Sequence, residues 1–286
     1  MEKKAMIKLR AARVWDLPRL RALWHQAFPF GVSDEYFFEH CFVEDHVESS
    51  LVLLEDGMIQ SAVYFLPTFW YDAAADTFAP APCLVGLSTE KQHRHMKYAS
   101  WLVETACDFM VEKGAGAVWT MLPNDALEIF FSMQGFWTME RDEGFVISRS
   151  LLPEPEGTIT RVEPEDYEKM REVLLRGKSH IVTGELVTSL QRDMAERAGG
   201  GLFLMEVDGS AVCCIAQCHG DTVRVRELLC PKEKRTKALA LLAQEVSGAR
   251  YTMDMTTPPC GMLRPMNQCN RQLEKPEGYL GCGPLL

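Results

Sequence analysis

Apolar and polar positions along the chain fall into blocks that recur. Two short β-like runs, MIKLR and GTITRV, each precede a stretch with helical spacing, WDLPRLRALW and EDYEKMREVL. The two stretches lie 150 residues apart, with Asp16 matching Asp166, Leu20 matching Met170 and Arg21 matching Arg171. Each Asp is expected to open a helix, its carboxylate accepting from free amides and its charge suiting the positive helix end. LVLLEDGMIQSAVYF and LFLMEVDGSAVCCIA are apolar runs broken by Asp56-Gly57 and Asp208-Gly209, a strong hairpin signal. CLVGLSTEKQHRHMKYASWLVETA and VRVRELLCPKEKRTKALALLAQEV each carry a strand into a charged turn and an amphipathic helix. Val118–Met121 and Arg250–Met253 supply the strand that follows.

Each copy therefore reads strand, helix, a second helical stretch, antiparallel hairpin, strand, helix, strand. Four blocks in the same order predict two copies of one mixed α/β unit (α+β, mixed sheet), spanning 1–150 and 151–286. The joint is SRSLLPEPEGT, a polar linker stiffened by Pro153 and Pro155. A length of 286 residues suits two modest domains.

Composition narrows the class. With 47% apolar and 24% charged residues, disordered and fibrous chains are excluded. No apolar run approaches the ~18–20 residues needed to cross a bilayer. The start, MEKKAMIKLRAARVW, lacks the ~7–15-residue apolar core of a secretory signal, so a soluble cytoplasmic protein with no membrane partner is expected. The formal charge is −10, of which residues 1–150 carry −8. Such acidity argues against nucleic acid as a partner and mildly for a cationic small substrate, although it also serves solubility alone. The ten Cys include Cys213, Cys214, Cys218 and Cys230 in apolar or strand-like settings, where a free thiol behaves as a small hydrophobe. Cys214–Cys218 with His219 is not a zinc pattern, so no metal is expected.

One region carries chemistry. The strand Val85-Gly86-Leu87-Ser88-Thr89 feeds the turn Arg94-His95-Met96-Lys97-Tyr98-Ala99 and a helix; PNDALEIFFSMQGF then leads to Gly135-Phe136. This order resembles the GNAT N-acetyltransferase superfamily. The tandem arrangement is similar to two-domain bacterial relatives of the enhanced-intracellular-survival aminoglycoside acetyltransferases, without their third, sterol-carrier-like domain. The resemblance implies acetyl-CoA as co-substrate, its pantetheine along the strand edge and its pyrophosphate on the turn, where backbone amides and a helix N-terminus receive the phosphate charge. It implies Leu87, Ser88, Thr89, Arg94, His95, Met96, Lys97, Tyr98, Ala99, Asn124 and Phe131 as binding residues.

Two departures from the family pattern matter. Usual glycine positions hold His95 and Lys97, within a basic cluster of Lys91, His93, Arg94, His95 and Lys97. Side-chain charge can replace amide approach at ~1.5–3 kcal/mol per contact; alternatively the turn has lost its ligand. Phe131 stands where the family places the tyrosine that protonates the leaving thiolate, and phenylalanine can pack there but not donate. The second copy has PKEKRTKALA after Cys230, without glycine, and no Gly-Phe block after Met253, so it is read as degenerate, with no CoA site.

Transfer to an amine needs a base, an oxyanion stabiliser and a departing thiolate. Backbone amides near Leu87–Thr89 suit the thioester carbonyl. For the base, the resemblance points to the C-terminal carboxylate, Leu286, carried by the tail GYLGCGPLL. Glu39, His40 and His46 in FFEHCFVEDH are the other candidates; Glu39 and His40 alternatively occupy a solvated helix face. His25 is expected as a packed core histidine, and the aromatics of FPFGVSDEYFF and AVYFLPTFWY as core or as acceptor-pocket wall. The expected function is acetyl-CoA-dependent N-acetyl transfer to an amine of a small cationic molecule or peptide, in a monomer or homo-oligomer, with the second copy shaping the acceptor cleft. The rival is a catalytically inactive GNAT-like protein that binds a ligand or partner.

Overall fold

The computed structural model describes residues 5–28, 36–40, 47–122, 125–139, 144–253, 260–266 and 277–282. The first half contributes β1 (Ile7–Ala11), α1 (Leu17–Ala27), a helical segment at 36–40, β2 (Leu51–Glu55), β3 (Met58–Leu66), β4 (Phe69–Asp72) and β5 (Thr77–Pro80). It continues with β6 (Cys83–Thr89), α2 (Tyr98–Glu112), β7 (Ala117–Leu122), α3 (Asp125–Ser132), β8 (Trp137–Thr138) and β9 (Phe145–Ser148). The second half contributes β10 (Thr158–Arg161), α4 (Pro164–Leu174), β11 (His180–Val182), α5 (Gly184–Arg197), β12 (Gly201–Val207) and β13 (Ser210–His219). After these come β14 (Thr222–Leu229), α6 (Arg235–Glu245), β15 (Arg250–Met253) and β16 (Cys260–Pro265).

The first sheet runs β1-β2-β3-β6-β7-β16-β8 and the second β10-β12-β13-β14-β15-β9. In both, a strand precedes an antiparallel hairpin, and the next strand is followed by a helix and a parallel neighbour. The fold is thus two tandem copies of one mixed α/β unit. Both hairpins turn on Asp-Gly pairs in left-handed backbone: Asp56 at φ 47° with Gly57 at 85°, and Asp208 at 47° with Gly209 at 72°.

The inner strands β2, β6 and β7 are almost continuously apolar because both faces are covered. In β2, Val52 and Leu54 join a core cluster with Leu20, Trp24 and Tyr64 under α1, while Leu51 and Leu53 face Leu102, Val103 and Ala106 of α2. Helix α1 buries Leu20, Leu23 and Trp24, which leaves His25, one step round the helix, exposed rather than packed in the core. Asp16 does precede α1, but its carboxylate accepts from the Arg13 amide (2.9 Å) and from both terminal nitrogens of Arg10 (2.6 and 2.9 Å), not from helix amides. The bond from Arg10 holds its carboxyl below the usual carboxylate range. Asp166 lies exposed in the first turn of α4, 3.9 Å from Lys169.

The two halves exchange strands. β16 inserts between β7 and β8, with Cys260 opposite Leu122 and Met262 opposite both Thr120 and Thr138. In return β9 pairs with β15, Arg250 facing Ser148 and Met253 facing Phe145. A third, small sheet, β11-β4-β5, joins β11 of the second half to a hairpin of the first. No helix among the described residues is long and apolar enough to cross a membrane.

A buried ion pair anchors residues 277–282 beside this seam. The Arg171 guanidinium lies 3.2 Å from the Glu227 carboxylate, both nearly inaccessible to solvent. Tyr167 and Tyr279 donate their hydroxyls to Glu227 at 2.8 and 3.0 Å, and Arg171 donates to the Ile181 carbonyl at 2.8 Å. Tyr279 also bonds β11 through its backbone, and Gln191 donates to the Cys282 carbonyl. Gly281, at φ 73°, passes so close that a Cβ there would lie 2.8 Å from Arg171 and 2.9 Å from Glu227. Removing one member of a buried pair strands the other, at a cost of about 3–5 kcal/mol. Glu227→Ala should therefore lower unfolding stability by that amount in urea titration, and a change below about 1 kcal/mol would show that the pair does not hold this layer together.

Candidate functional site

The site begins where two strands of the first sheet part. β6 and β7 share the parallel pairing Cys83↔Trp119, and Thr120 Oγ1 donates across to the Leu84 carbonyl at 2.9 Å. Beyond Leu84 no pairing joins them among the described residues. The opening is set by a bulge in the β3–β6 ladder between Ala62 and Tyr64, across from Gly86. Gly86 is at φ 64°, and a Cβ there would lie 2.4 Å from the Trp24 ring and 2.7 Å from Tyr64, so a side chain is excluded on two grounds. The edge of Leu87-Ser88-Thr89 on the β7 side is left without a strand partner. Ser88 is buried, and its Oγ has no hydrogen-bond partner among the described residues.

At the end of β6, Glu90 ties the strand to α1. Its carboxylate accepts from Gln26 (2.7 Å), Arg19 (2.7 Å) and the Lys91 amide (3.0 Å), which together lower its pKa, Gln26 most of all. The following turn has a left-handed backbone at His95 (φ 66°) and Lys97 (φ 65°), a conformation that favours glycine. Lys97 is the N-cap residue of α2 and makes no side-chain cap bond, and the first helical turn contains no acid. The amides at the start of α2 are therefore free of the anionic side chain that usually satisfies them. Lys91, Arg94, His95, Met96 and Lys97 are exposed. Arg94 donates Nε to the Thr89 carbonyl at 3.4 Å. A left-handed turn, uncapped amides and a ring of cations fit a phosphate-bearing ligand.

His93 belongs to the support rather than to the face. Its Nε2 lies 3.0 Å from Glu55, and its ring stacks on Tyr98 with centroids 6.0 Å apart. Tyr98 is itself buried under the turn, where burial, then the bond to Glu55, raises its pKa. The structure thus brings Leu87, Ser88 and Thr89 together with Arg94, His95, Met96, Lys97 and Ala99, and sends the Tyr98 side chain into the core. Phe131 goes there too: it is 3% exposed, edge-on to Phe130 and Phe136 at 5.1 Å. Asn124, His46 and Leu286 lie outside the described residues.

Across the sheet, Glu39 is half-buried and paired with Arg21, and His40 is exposed, its Nδ1 2.9 Å from the Tyr36 carbonyl. Helix α5 of the second half grips this segment. Tyr36 donates its hydroxyl to Asp193 at 2.5 Å, and the Arg197 guanidinium sits 3.7 Å above the Tyr36 ring. Sequence reasoning missed this contact because the partners lie 157 residues apart. Leu280 is buried against Gly261 and Met121, at the β16–β7 side of the same cluster.

The second copy differs at each of these points. β14 and β15 stay paired over Thr222↔Arg250, Val223↔Tyr251 and Arg224↔Thr252. No left-handed residue occurs between Cys230 and Arg235, and Lys234 caps α6 in right-handed backbone. Its ammonium donates to Ser210 Oγ (2.6 Å) and the Asp208 carbonyl (3.1 Å), and Lys237 bonds Asp208 at 2.9 Å. Cations that lie exposed in the first turn are matched here by lysines bonded to the protein's own hairpin.

Comparisons with known proteins agree with the fold. Residues 17–136 match the acetyltransferase (GNAT) family, so the first half carries a GNAT acetyltransferase domain, which supports an acyltransferase. Over the whole chain the fold is shared with solved structures. A GCN5-related N-acetyltransferase from Anabaena variabilis aligns with a TM-score of 0.69 at 11% identity, over 92% of this chain and 74% of that one. One from Kribbella flavida gives 0.66 at 14% identity, over 91% and 71%. Eis1 from Mycobacterium abscessus gives 0.62 at 11% identity, over 91% and 73%. No curated protein matches the sequence.

A non-glycine residue in left-handed backbone costs ~1–2 kcal/mol, and glycine loses ~0.5–1 kcal/mol of that gain to the unfolded chain. The double variant His95→Gly, Lys97→Gly should therefore unfold within about 1 kcal/mol of the parent or above it. A loss beyond about 2 kcal/mol in denaturant titration would mean that the turn does not hold these residues left-handed.

Proposed function

We propose that the protein is an acetyl-CoA-dependent N-acetyltransferase acting on an amine of a small cationic molecule or peptide. The observation that carries this reading is the turn: His95 and Lys97 keep the left-handed backbone that glycine ordinarily supplies, so the phosphate-receiving shape persists although the residues have changed. Acetyl-CoA would supply an activated acyl group as a thioester. The amides at the start of α2, with Arg94, His95 and Lys97, hold its pyrophosphate, and the unpaired edge of Leu87-Ser88-Thr89 holds the pantetheine arm and polarises the thioester carbonyl. Orientation alone can contribute ~7–11 kcal/mol, which lets transfer proceed although Phe131 cannot protonate the departing thiolate.

The second half supplies shape. Through α5 it fixes residues 36–40, and through Leu280 it closes the opposite wall, so the acceptor lies between copies while the first copy alone holds CoA. The ion pair with Arg21 makes Glu39 a weaker base. An acidic first half favours a cationic acceptor by long-range attraction. Seven free cysteines among the described residues suit the reducing cytoplasm. The inactive alternative draws on the burial of Phe131 in the core.

Binding of CoA separates the two. At a hundredfold excess over Kd the ligand should stabilise the fold by ~2.7 kcal/mol, seen as a rise in Tm; no rise at millimolar CoA leaves only the inactive reading. Arg94→Ala should weaken CoA binding by ~1.5–3 kcal/mol in calorimetry, while Lys232→Ala in the second turn leaves it unchanged. Equal losses would refute a single site in the first copy.

A further inference from the structure

Ser88 presents a problem that the fold leaves unsolved. It is 3% exposed, and its hydroxyl meets no hydrogen-bond partner among the described residues. Hydroxyls nearby are satisfied: Ser61 Oγ donates to the Ser88 carbonyl at 2.7 Å and meets Thr89 Oγ1 at 2.9 Å. A buried hydroxyl without a partner is costly, and its persistence points to a partner that arrives from outside.

Register tells which side that partner comes from. Ser88 stands opposite Ala62, whose side chain belongs to the cluster of Trp24, Phe37, Phe38 and Tyr64 under α1. Its neighbour Thr89 stands opposite Ser61 and thus Leu53, which face α2. The phosphate turn and α2 occupy one face of the sheet; the Ser88 hydroxyl occupies the other, with α1 and residues 36–40. It also sits beyond the last cross-link between β6 and β7, at the unpaired edge where the thioester would lie. The group it meets therefore comes from the acceptor side.

We propose that the Ser88 hydroxyl holds the nitrogen of the acceptor amine against the thioester. The inference rests on the acyl-transfer reading above and names the residue that positions the nucleophile. In the step, the lone pair of the neutral amine forms the N–C bond to the thioester carbonyl carbon, and the carbonyl π pair moves to oxygen. On collapse that pair re-forms C=O, and the C–S bond breaks with its electrons on sulfur. Of the two protons the ammonium nitrogen loses, one ends on the thiolate and one is released. Ser88 Oγ accepts a hydrogen bond from nitrogen throughout and keeps its own proton.

The test uses the full chain, with acetyl-CoA as donor and spermidine and a lysine-bearing peptide as amine probes. Ser88→Ala should lower kcat/KM for the amine about tenfold, the loss of one hydrogen bond. CoA affinity by calorimetry should stay within about twofold, and Tm should hold or rise, because the variant removes an unsatisfied buried hydroxyl. Ser88→Thr, which keeps the hydroxyl, should recover most of the rate. Unchanged transfer in Ser88→Ala overturns the inference, as does a rate loss matched by an equal loss of CoA affinity or by a fall in Tm. Wild-type protein that binds no CoA sinks the transfer reading itself. Wild-type protein that binds CoA but acetylates neither probe overturns the role of Ser88 and leaves the CoA site standing.

Discussion

The backbone of β16 is the constraint on which the first sheet depends. A strand edge with unpaired amides and carbonyls must find partners or be covered, and β7 would present such an edge to solvent. Cys260–Pro265 satisfies it residue by residue, and the same strand then accepts β8 on its other side. Its side chains serve both layers. Met262 enters the cluster with Leu102, Phe131 and Phe136, and Leu263 the cluster with Trp24 and Tyr64. The placement of β7, one lip of the cleft, is thus decided by a segment from the far end of the chain, while β9 does the same service for β15.

Within that frame the first copy is open and the second closed. Gly86 allows β6 to bulge beneath Trp24, and the strand leaves its parallel neighbour after one pairing, whereas β14 stays zipped to β15 over three. The turns diverge in parallel. His95 and Lys97 accept backbone strain and leave their side chains in solvent; Lys234 and Lys237 relax and bond to Asp208 and Ser210. One duplicated unit has been pulled toward ligand geometry at one site and toward internal satisfaction at the other.

Much of this was legible in the residues. The repeat set the element order, the Asp-Gly pairs set both hairpins, and Arg94 to Ala99 marked the turn, because these signals are local and survive without knowledge of the fold. Long-range pairings were not legible. VIS at 146–148 and ML at 262–263 are short apolar runs with nothing in them to name their partners, and no local pattern links Tyr36 to Asp193. The positive φ of His95 and Lys97 was hidden because glycine, the usual marker, is missing there. His25 misled through its apolar neighbours in sequence, where the helix turns it to solvent. Asp16 misled because Arg10, six residues earlier, outbids the helix amides for its carboxylate.

Strand exchange also bears on how the chain is made. At ~5–20 residues per second on the ribosome, β7 is complete roughly 7–30 seconds before β16 exists. Throughout that interval the newborn first half holds a long apolar strand with one naked flank, the kind of surface that recruits other chains. That flank stays open to any other strand until Cys260–Pro265 is made and can pair with it.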